Sequence, residues 1–332
     1  MRTILVSGAS GVVGYGIARA LRMSKAYLKV LGTTTREDSA ASLFCDVVEK
    51  APHTNDPRYY DWLLEIVEKH AVDLLIPGIE IDMLSWSANR LLLNASVKCV
   101  LNTEQLISLC SDKWTFYQDL SGRADPIAIP TYDRGDFNEL ADKCGLPFLL
   151  KPRRGYGSRG IVRVESESVF EVHREQMQVQ LIAQPIVGSD EAEYSVSCFA
   201  DGRGSAASTF SLRRKLGFGG FTEWAEVVDN SPFDDAVRRL CSFYKPVGPT
   251  NFQFRVHDGD VKLLEINPRI SSASSIRAAF GYNEAAMALE YFLNDRIPPV
   301  PQTGRGRAVR YVEDHIDPAP GNWTVLSGGS SV

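Results

Sequence analysis

The sequence has no long apolar run, no closely paired cysteines and no excess of positive charge. Its six cysteines are scattered without a CxxC pair, which argues against a disulfide framework and against a zinc knuckle. No segment approaches the roughly 18 apolar residues that a membrane-spanning helix needs. The N-terminus has no charged region followed by an apolar one, so we expect a cytoplasmic protein with no membrane contact.

The overall composition excludes further classes of protein. A net charge of −5 gives no electrostatic footprint for nucleic acid. Hydrophobic residues make up 44% and charged residues 23% of the chain, which is ordinary for a globular protein. A length of 332 residues predicts two or three domains.

Strands alternate with helices in the N-terminal part of the sequence. Short apolar strands are predicted at residues 3–7, 28–34, 73–78 and 97–102, with helical segments between them. This alternation favours a doubly wound parallel sheet. Residues 122–136 are rich in Pro, Gly and Asp and predict a connection. From residue 193 onward the pattern is mostly strands and hairpins, with one helix near residues 283–294.

A glycine-rich turn, GASGVVGYG at residues 8–16, lies between the first strand and the first helix. A dinucleotide-binding fold keeps its phosphate loop at this point, so an NAD(P)-dependent oxidoreductase is one hypothesis. No acidic residue directly follows the second strand, and no tyrosine has a lysine four positions after it. The alternative is that the glycines allow close packing of helix and strand or bind another ligand.

Two segments, NFQFRV at residues 251–256 and VKLLEINPR at residues 261–269, alternate as strands do. Asp258-Gly259 between them is a hairpin signal. Glu265 and Asn267 lie on one face, and Gln253 joins them only if the hairpin has a bulge or an odd loop. Oxygen ligands of this kind suit Mg²⁺. The alternative is a solvated polar face on a half-buried strand.

A second glycine cluster follows the predicted strand PFLLKP, which contains Lys151. Three glycines in RRGYGSRG, residues 153–160, permit positive φ and close approach of the backbone to a ligand. Backbone N–H groups in such a loop bind phosphate oxygens, and a lysine supplies a compact positive charge. The alternative is a flexible, solvated hairpin.

Taken in order, these motifs resemble the ATP-grasp superfamily, and its carbamoyl-phosphate-synthase-like branch most of all. The resemblance covers roughly residues 1–315 and depends most on EINPR at residues 265–269. It implies an ATP-grasp fold with an N-terminal α/β domain at 1–112, a lid at 113–183, a C-terminal mixed-sheet domain at 184–320 and a flexible tail at 321–332. The implied cofactors are ATP and Mg²⁺ or Mn²⁺.

The resemblance assigns the nucleotide contacts residue by residue. Lys113 and Lys151 would contact the phosphates of ATP, and Lys151 could also reach the adenine edge. Glu191 matches the carboxylate that binds ribose, with Glu193 as the alternative. The loop closing over the phosphates would consist of Gly155, Tyr156, Gly157, Ser158 and Gly160. The hinge beside adenine would consist of Gln184, Pro185, Ile186 and Val187.

The resemblance also implies a metal site and catalytic residues. Gln253, Glu265 and Asn267 would hold one or two metal ions. Arg269 matches the arginine that stabilises a phosphorylated carboxylate, and Lys151 would share the catalytic role. Arg213, in the basic stretch at residues 211–224, would grip the substrate carboxylate or the γ-phosphate, unless it lies on an exposed basic turn.

The chain departs from the family pattern in three places. Gln184 stands where many members carry Glu, ISSASS after EINPR lacks a second arginine, and only one such unit is present. We therefore expect an ADP-forming carboxylate–amine ligase that acts on small molecules, with an amino acid as the first candidate substrate. A homodimer would be consistent with the family. The alternatives are the oxidoreductase named above and a non-catalytic ATP-binding regulator.

Overall fold

A computed structural model describes residues 1–314, apart from 156, 158, 190 and 218. The chain folds into three sheets: one parallel, one small antiparallel and one large antiparallel sheet. The expectation of a mixed C-terminal sheet is corrected, because all the strand pairs of the large sheet are antiparallel. The predicted fold class is otherwise confirmed. The exact domain limits stay a prediction, and the expected flexible tail lies outside the described residues. No helix in the described ranges is long and apolar enough to cross a membrane.

The first sheet is parallel and has the order β3-β2-β1-β4-β5. Its strands are β1 (Arg2–Val6), β2 (Leu28–Thr34), β3 (Val47–Lys50), β4 (Leu74–Ile76) and β5 (Lys98–Cys99). The accompanying helices are α1 (Val12–Met23), α2 (Tyr59–Lys69), α3 (Glu80–Ala88), α4 (Arg90–Asn94) and α5 (Glu104–Cys110). Apolar clusters cover both faces, because successive residues of β1 such as Ile4 and Leu5 belong to different clusters.

The second sheet is small and antiparallel, with the order β7-β6-β8. Helix α6 (Lys113–Gly122) and helix α7 (Phe137–Cys144) precede it in the chain. The sheet and its remaining helix consist of β6 (Phe148–Pro152), β7 (Val162–Val164), α8 (Glu167–Glu171) and β8 (Leu181–Pro185), with a 3₁₀ turn at Arg174–Gln176. We refer to residues 148–185 as the lid.

The third sheet is antiparallel, with the order β13-β12-β9-β10-β11-β14. Its elements are β9 (Glu193–Asp201), β10 (Ala206–Leu216), β11 (Thr222–Val228), α9 (Asp234–Tyr244), β12 (Val247–His257), β13 (Asp260–Asn267), α10 (Ser274–Ala279), α11 (Glu284–Asn294) and β14 (Arg307–Val309). One face packs on α9 through residues such as Phe233 and Phe254, whose rings stack with centroids 5.4 Å apart. The other face packs on α10 and α11 through residues such as Phe199, Ile276 and Met287.

Several elements differ from the sequence-based expectation. The strand expected at 97–102 is reduced to Lys98–Cys99. Helices α3, α5, α6, α9 and α10 were not predicted. Helix α6 has a weak apolar stripe, since only Phe116 and Leu120 are buried along its length. Tertiary packing therefore determines this helix more than its sequence pattern does.

The N-terminal glycines are sites of close backbone packing. A Cβ on Gly78 would lie 2.1 Å from the Ser7 carbonyl oxygen and 2.7 Å from the Gly14 Cα. A Cβ on Gly14 would lie 2.2 Å from the Gly8 carbonyl oxygen. The obstructing atoms are backbone atoms, which have little freedom to move. The glycine pattern is thus explained by packing of α1 on the sheet, without a dinucleotide.

We expect Gly78→Ala to lower the free energy of unfolding by at least about 1–3 kcal/mol, because overpacking against backbone forces the strands apart. Gly122→Ala is the matched control, since its Cβ would meet no atom within 4 Å. That control should be neutral or slightly stabilising, by up to about 1 kcal/mol. Urea denaturation of both variants measures the difference, and equal midpoints would contradict the packing argument.

Candidate active site

The β12–β13 hairpin brings the three expected metal ligands to one face. Gln253 lies opposite Glu265, and Asn251 lies opposite Asn267. The pairing register shifts between Gln253 and Phe254, so β13 carries a bulge. The turn itself has two residues, Asp258 at φ +50° and Gly259 at φ +85°, as a tight hairpin turn requires. The alternation in the sequence requires a bulge or an odd loop for Gln253 to share a face with Glu265 and Asn267. The bulge in β13 meets this requirement, and the two-residue turn alone would not.

The donor set at this hairpin suits a magnesium ion. The Asn267 Nδ2 atom donates to Glu265 Oε1 over 2.9 Å, which holds the two side chains together. The other Glu265 oxygen and the Gln253 amide make no hydrogen bond within the described residues. No cluster of three His, Cys, Asp or Glu side chains exists in that part of the chain. One carboxylate with two amide oxygens fits Mg²⁺, which takes few protein ligands and retains positions for phosphates and water.

Lys151 on β6 faces this hairpin from the lid. Burial lowers the pKa of Lys151 to about 8, and the nearby cations Arg255 and Lys113 add to the effect. The carboxylates of Glu265 and Glu193 oppose the shift. These influences come from β9, β12, β13 and α6, so Lys151 lies close to the expected metal ligands. A partly buried lysine without a paired carboxylate is suited to bind an anion.

The start of α6 is tied to the lid. Asp112 caps α6 by accepting from Trp114 N, and it also accepts two hydrogen bonds from Arg153, at 3.2 and 2.8 Å. The neighbouring Lys113 donates from Nζ to the Gly155 carbonyl over 2.9 Å. Lys113 therefore lies at the glycine loop, and its contact with phosphates stays a prediction. The expected loop residues Tyr156 and Ser158 lie outside the described residues, whereas Gly155, Gly157 and Gly160 have φ values of +130°, +69° and +72°.

The expected adenine hinge is the end of β8, an edge strand of the lid. Gln184 is buried, and its Nε2 donates to Thr131 Oγ1 over 2.7 Å. That amide nitrogen is thus already paired, so recognition of a base here would depend on backbone groups. The Val187 carbonyl accepts from Arg255 Nη1 over 3.2 Å, which joins the hinge to β12. Pro185 and Ile186 lie between these two anchors and are partly exposed.

A cleft of about 760 Å³, including its open mouth, connects these elements. Its lining brings together Lys113 and Gly155 on the phosphate side, Gln184 at the hinge, and Glu265 and Asn267 at the hairpin. Apolar side chains complete the walls, including Ile107, Phe116, Ile129 and Leu263. A mostly apolar cleft with a few convergent polar groups is the usual form of a small-molecule site.

The two candidate ribose carboxylates differ in environment. Glu193 is buried and accepts from Arg214 at 3.0 and 2.6 Å, with Arg255 3.7 Å away. Glu191 is exposed and forms an ion pair with Lys215. A buried carboxylate held by arginines is poorly placed to exchange partners. Glu191 therefore remains the better candidate of the two.

Arg213 is not brought together with the other candidate residues. The register aligns it with Tyr194 and Phe254, on the face opposite to Gln253. Its guanidinium group donates to Glu226 over 2.7 Å and lies over the Trp224 ring. The expectation that Arg213 grips a substrate is corrected on this ground, because alternate residues of a strand face opposite sides.

The neighbouring Arg214 faces the cleft side of the sheet, in register with Glu193 and Arg255. The sequence pattern did not single it out, although it stands in the same basic run. The alternation of side chains along paired strands could have identified it. Starting from Gln253, this alternation places Arg214 on the same face of the sheet and Arg213 on the opposite face.

Arg269 lies just beyond β13, where its Nη2 atom donates to Glu80 Oε2 over 3.2 Å. Glu80 is the first residue of α3 and also lines the cleft. The pair therefore joins the parallel sheet to the hairpin, and Glu80 is not an isolated surface carboxylate. The guanidinium retains a buried Nε without a partner among the described residues.

A fully buried arginine supports the hairpin from the side of α10. The Arg277 Nη2 atom donates to Asn251 Oδ1 over 2.6 Å and to Ser195 Oγ over 2.8 Å, and Nη1 pairs with Glu284 over 3.1 Å. Asn251 and Ser195 lie opposite Asn267 and Gln253 respectively. The network fixes the strands directly behind the metal ligands. No feature of the sequence pattern predicted it.

The three sheets and the cleft between the second and the third define an ATP-grasp fold. A sequence profile of the family described as "ATP-grasp in the biosynthetic pathway with Ter operon" matches residues 178–315. This match covers the C-terminal part of the chain, which is similar to ATP-grasp proteins. It is 22% identical over 303 residues to the carbamoyl phosphate synthase large chain of Methanosphaerula palustris, covering 81% of this chain but only 28% of that relative.

Solved structures show the same fold at low sequence identity. N5-carboxyaminoimidazole synthetase from Staphylococcus aureus, complexed with ADP, aligns with a TM-score of 0.71 at 16% identity over 91% of this chain and 80% of that one. An L-amino acid ligase from Bacillus licheniformis aligns with a TM-score of 0.66 at 14% identity over 90% and 78% of the two chains.

The environment of Lys151 predicts its reactivity. In metal-free protein, labelling of Lys151 by an amine-specific acylating reagent should rise with a midpoint near pH 8, since only the neutral amine reacts. Glu265→Gln should move this midpoint lower, because the Glu265 carboxylate raises the pKa of Lys151. Peptide mass spectrometry after timed labelling measures both midpoints. A midpoint near 10.5, the ordinary value for lysine, would show that Lys151 is solvated and unconnected to the hairpin.

Proposed function

We propose that the protein is an ATP-dependent carboxylate–amine ligase that releases ADP and phosphate. The observation that carries this proposal is the arrangement across one cleft of two lysines, an oxygen-rich hairpin and an arginine. Lys113 and Glu265 line the cleft, and Lys151 lies close enough for both to influence its pKa. Arg269 pairs with Glu80, which also lines the cleft. Such a set neutralises a triphosphate and holds an acid beside it.

In the proposed reaction, a carboxylate oxygen of the acid attacks the γ-phosphorus of ATP, and ADP leaves. The amine nitrogen then attacks the acyl carbon of the resulting acyl phosphate, phosphate leaves, and the nitrogen loses a proton. Lys151 and Lys113 would bind phosphate oxygens, while Arg269 would bind the oxygens of the acid. Preorganised positive charge of this kind stabilises the charge that develops in phosphoryl transfer.

Gln253, Glu265 and Asn267 would hold a divalent ion, which when bound neutralises charge on phosphate oxygens. The lid, through Gly155 and Gly157, would exclude water from the acyl phosphate. Nucleophilic catalysis by Cys110, a cleft residue, is disfavoured because burial raises the pKa of its thiol.

The relatives support an ATP-dependent ligase in general, and the particular reaction written above is our proposal. One solved neighbour is an L-amino acid ligase, and another is a biotin carboxylase domain dimer complexed with MgADP. An amino acid as a substrate, Mg²⁺ as the ion and a homodimer are therefore parts of our proposal. The cytoplasmic location stays a prediction.

Glu265→Gln should lower ADP formation by about a hundredfold or more, since the hairpin loses its only carboxylate for the ion. Glu171→Gln, an exposed change on α8 in the lid, is the matched control and should retain normal turnover. A coupled assay for ADP, with MgATP and paired acids and amines, gives both rates. Equal rates for Glu265→Gln and wild type, with circular dichroism unchanged, would refute the role of Glu265.

Nucleotide binding discriminates the ligase from an oxidoreductase. MgATP should raise the melting temperature, because a ligand that binds only the native state stabilises it by about 2.7 kcal/mol at a hundred times its dissociation constant. NADH and NADPH should leave the melting temperature unchanged, since close backbone packing already accounts for the N-terminal glycines. Stabilisation by NADPH with no response to MgATP would favour the oxidoreductase. Stabilisation by MgATP without ADP release from any acid and amine pair would favour a non-catalytic regulator.

A further inference from the structure

Arg310 follows β14, and its side chain reaches inward to the segment that follows the β12–β13 hairpin. Its Nη2 atom donates to the Ser272 carbonyl over 2.9 Å. The guanidinium carbon lies 5.7 Å from the ring centre of Tyr15 on α1 and 5.8 Å from that of Phe221. Two aromatic rings and one carbonyl thus fix the orientation of this group.

The charge of Arg310 has no counterion in the described part of the chain. No carboxylate there pairs with it, and its Nη1 atom is buried without a hydrogen-bond partner. Among the described residues, the charged side chain that influences it is Arg19, a second cation. Burial lowers the pKa of Arg310, whereas Tyr15 opposes this shift and Arg19 adds to it. A buried cation without a partner is costly, so an anion at Nη1 would be strongly favoured.

This guanidinium lies next to the proposed site of chemistry. Arg269 donates to the Ile270 carbonyl over 3.3 Å, and Arg310 donates to the carbonyl two residues further on. The Cα atoms of Ile270 and Ser272 are at most about 7 Å apart, because each residue spans no more than about 3.6 Å. Arg269 and Arg310 therefore donate to carbonyl groups of one short segment. Arg310 as a whole is partly exposed, whereas its Nη1 atom is covered, so a ligand reaches this atom only when a neighbouring group moves aside.

We propose that Arg310 binds a carboxylate of the substrate other than the one that is activated. This inference rests on the proposed ligase function and narrows its substrates to two sources of the same chemistry. One is an amino acid that reacts through its amine, and the other is a dicarboxylic acid that reacts through its second carboxyl group. Arg310 would form a charge-assisted hydrogen bond from Nη1, with Tyr15 and Phe221 holding the guanidinium plane.

The test compares carboxylates with matched amides in binding to the full chain. In the presence of MgADP, calorimetric titrations would use the common L-amino acids with their carboxamides, and succinate and glutarate with their monoamides. At least one carboxylate should bind the wild type about tenfold or more tightly than its amide, the value of one charge-assisted hydrogen bond. The pair that shows the preference identifies the source as the amine substrate or the acid substrate.

Arg310→Met should remove this preference by weakening the carboxylate alone, and Arg310→Lys should retain part of it. Arg307→Met is the matched control, because Arg307 lies on the same edge strand but is exposed and pairs with Glu226. It should behave as wild type. Equal binding of carboxylate and amide to the wild type, no binding of any probe, or an equal loss of both in Arg310→Met would overturn the proposal.

The titrations involve no turnover, so they are independent of the ligase assay. Absence of ADP release with a preserved, Arg310-dependent preference would refute the proposed reaction and leave the carboxylate site in place. ADP release without any preference for a carboxylate would support the proposed reaction and refute the carboxylate site at Arg310. Melting curves without ligand show whether Arg310→Met is folded. If it is not, the test depends on Arg310→Lys, which should show a smaller preference for the carboxylate than the wild type.

Discussion

The site depends on a single extra residue in β13. Below the bulge Leu263 pairs with Phe254, and above it Glu265 pairs with Gln253. A hairpin with the same two-residue turn and no bulge would pair Gln253 with Leu264 and turn Glu265 toward Phe252, Phe254 and the apolar contacts of α9. One inserted residue therefore decides whether a carboxylate faces the cleft or the core. The buried bonds from Arg277 to Asn251 and Ser195 hold the strands in the register that the bulge creates.

The electrostatics of the cleft follow from this register. Arg214 and Arg255 share the face of Gln253, and Glu193 is buried between them. Because Glu193 is already engaged, the positive charge of Lys151 has no partner among the described residues. Burial lowers the pKa of Lys151, and the nearby cations Arg255 and Lys113 lower it further. A cleft preassembled with uncompensated cations reorganises little when a polyanion enters, and this is the condition for strong electrostatic stabilisation.

The layered architecture was largely predictable from the sequence, and the helices around the cleft were not. Short apolar runs predicted β1, β2 and β6 nearly to the residue, and the helix expected at 283–294 is α11 at Glu284–Asn294. The alternating segments predicted the β12–β13 hairpin and, given a bulge, the shared face of Gln253, Glu265 and Asn267. Their role as magnesium ligands stays a prediction. Helices α5 and α6 are short, and their exposed and buried positions are fixed by neighbours distant in sequence. Local periodicity therefore carried little information about them.

The side chains that could not be predicted are those whose partners are far away in the sequence. Arg269 and Glu80 are 189 residues apart, and Arg310 and Ser272 are 38 residues apart. The sequence shows ISSASS without an arginine, yet the fold supplies a guanidinium to that segment from the edge strand β14. Likewise, the run SLRRK offers two adjacent arginines, and only strand parity decides that Arg214 faces the cleft and Arg213 faces away. Motifs identify the residues that act through their own strand, whereas residues that act through a neighbouring strand become visible only when the register is known.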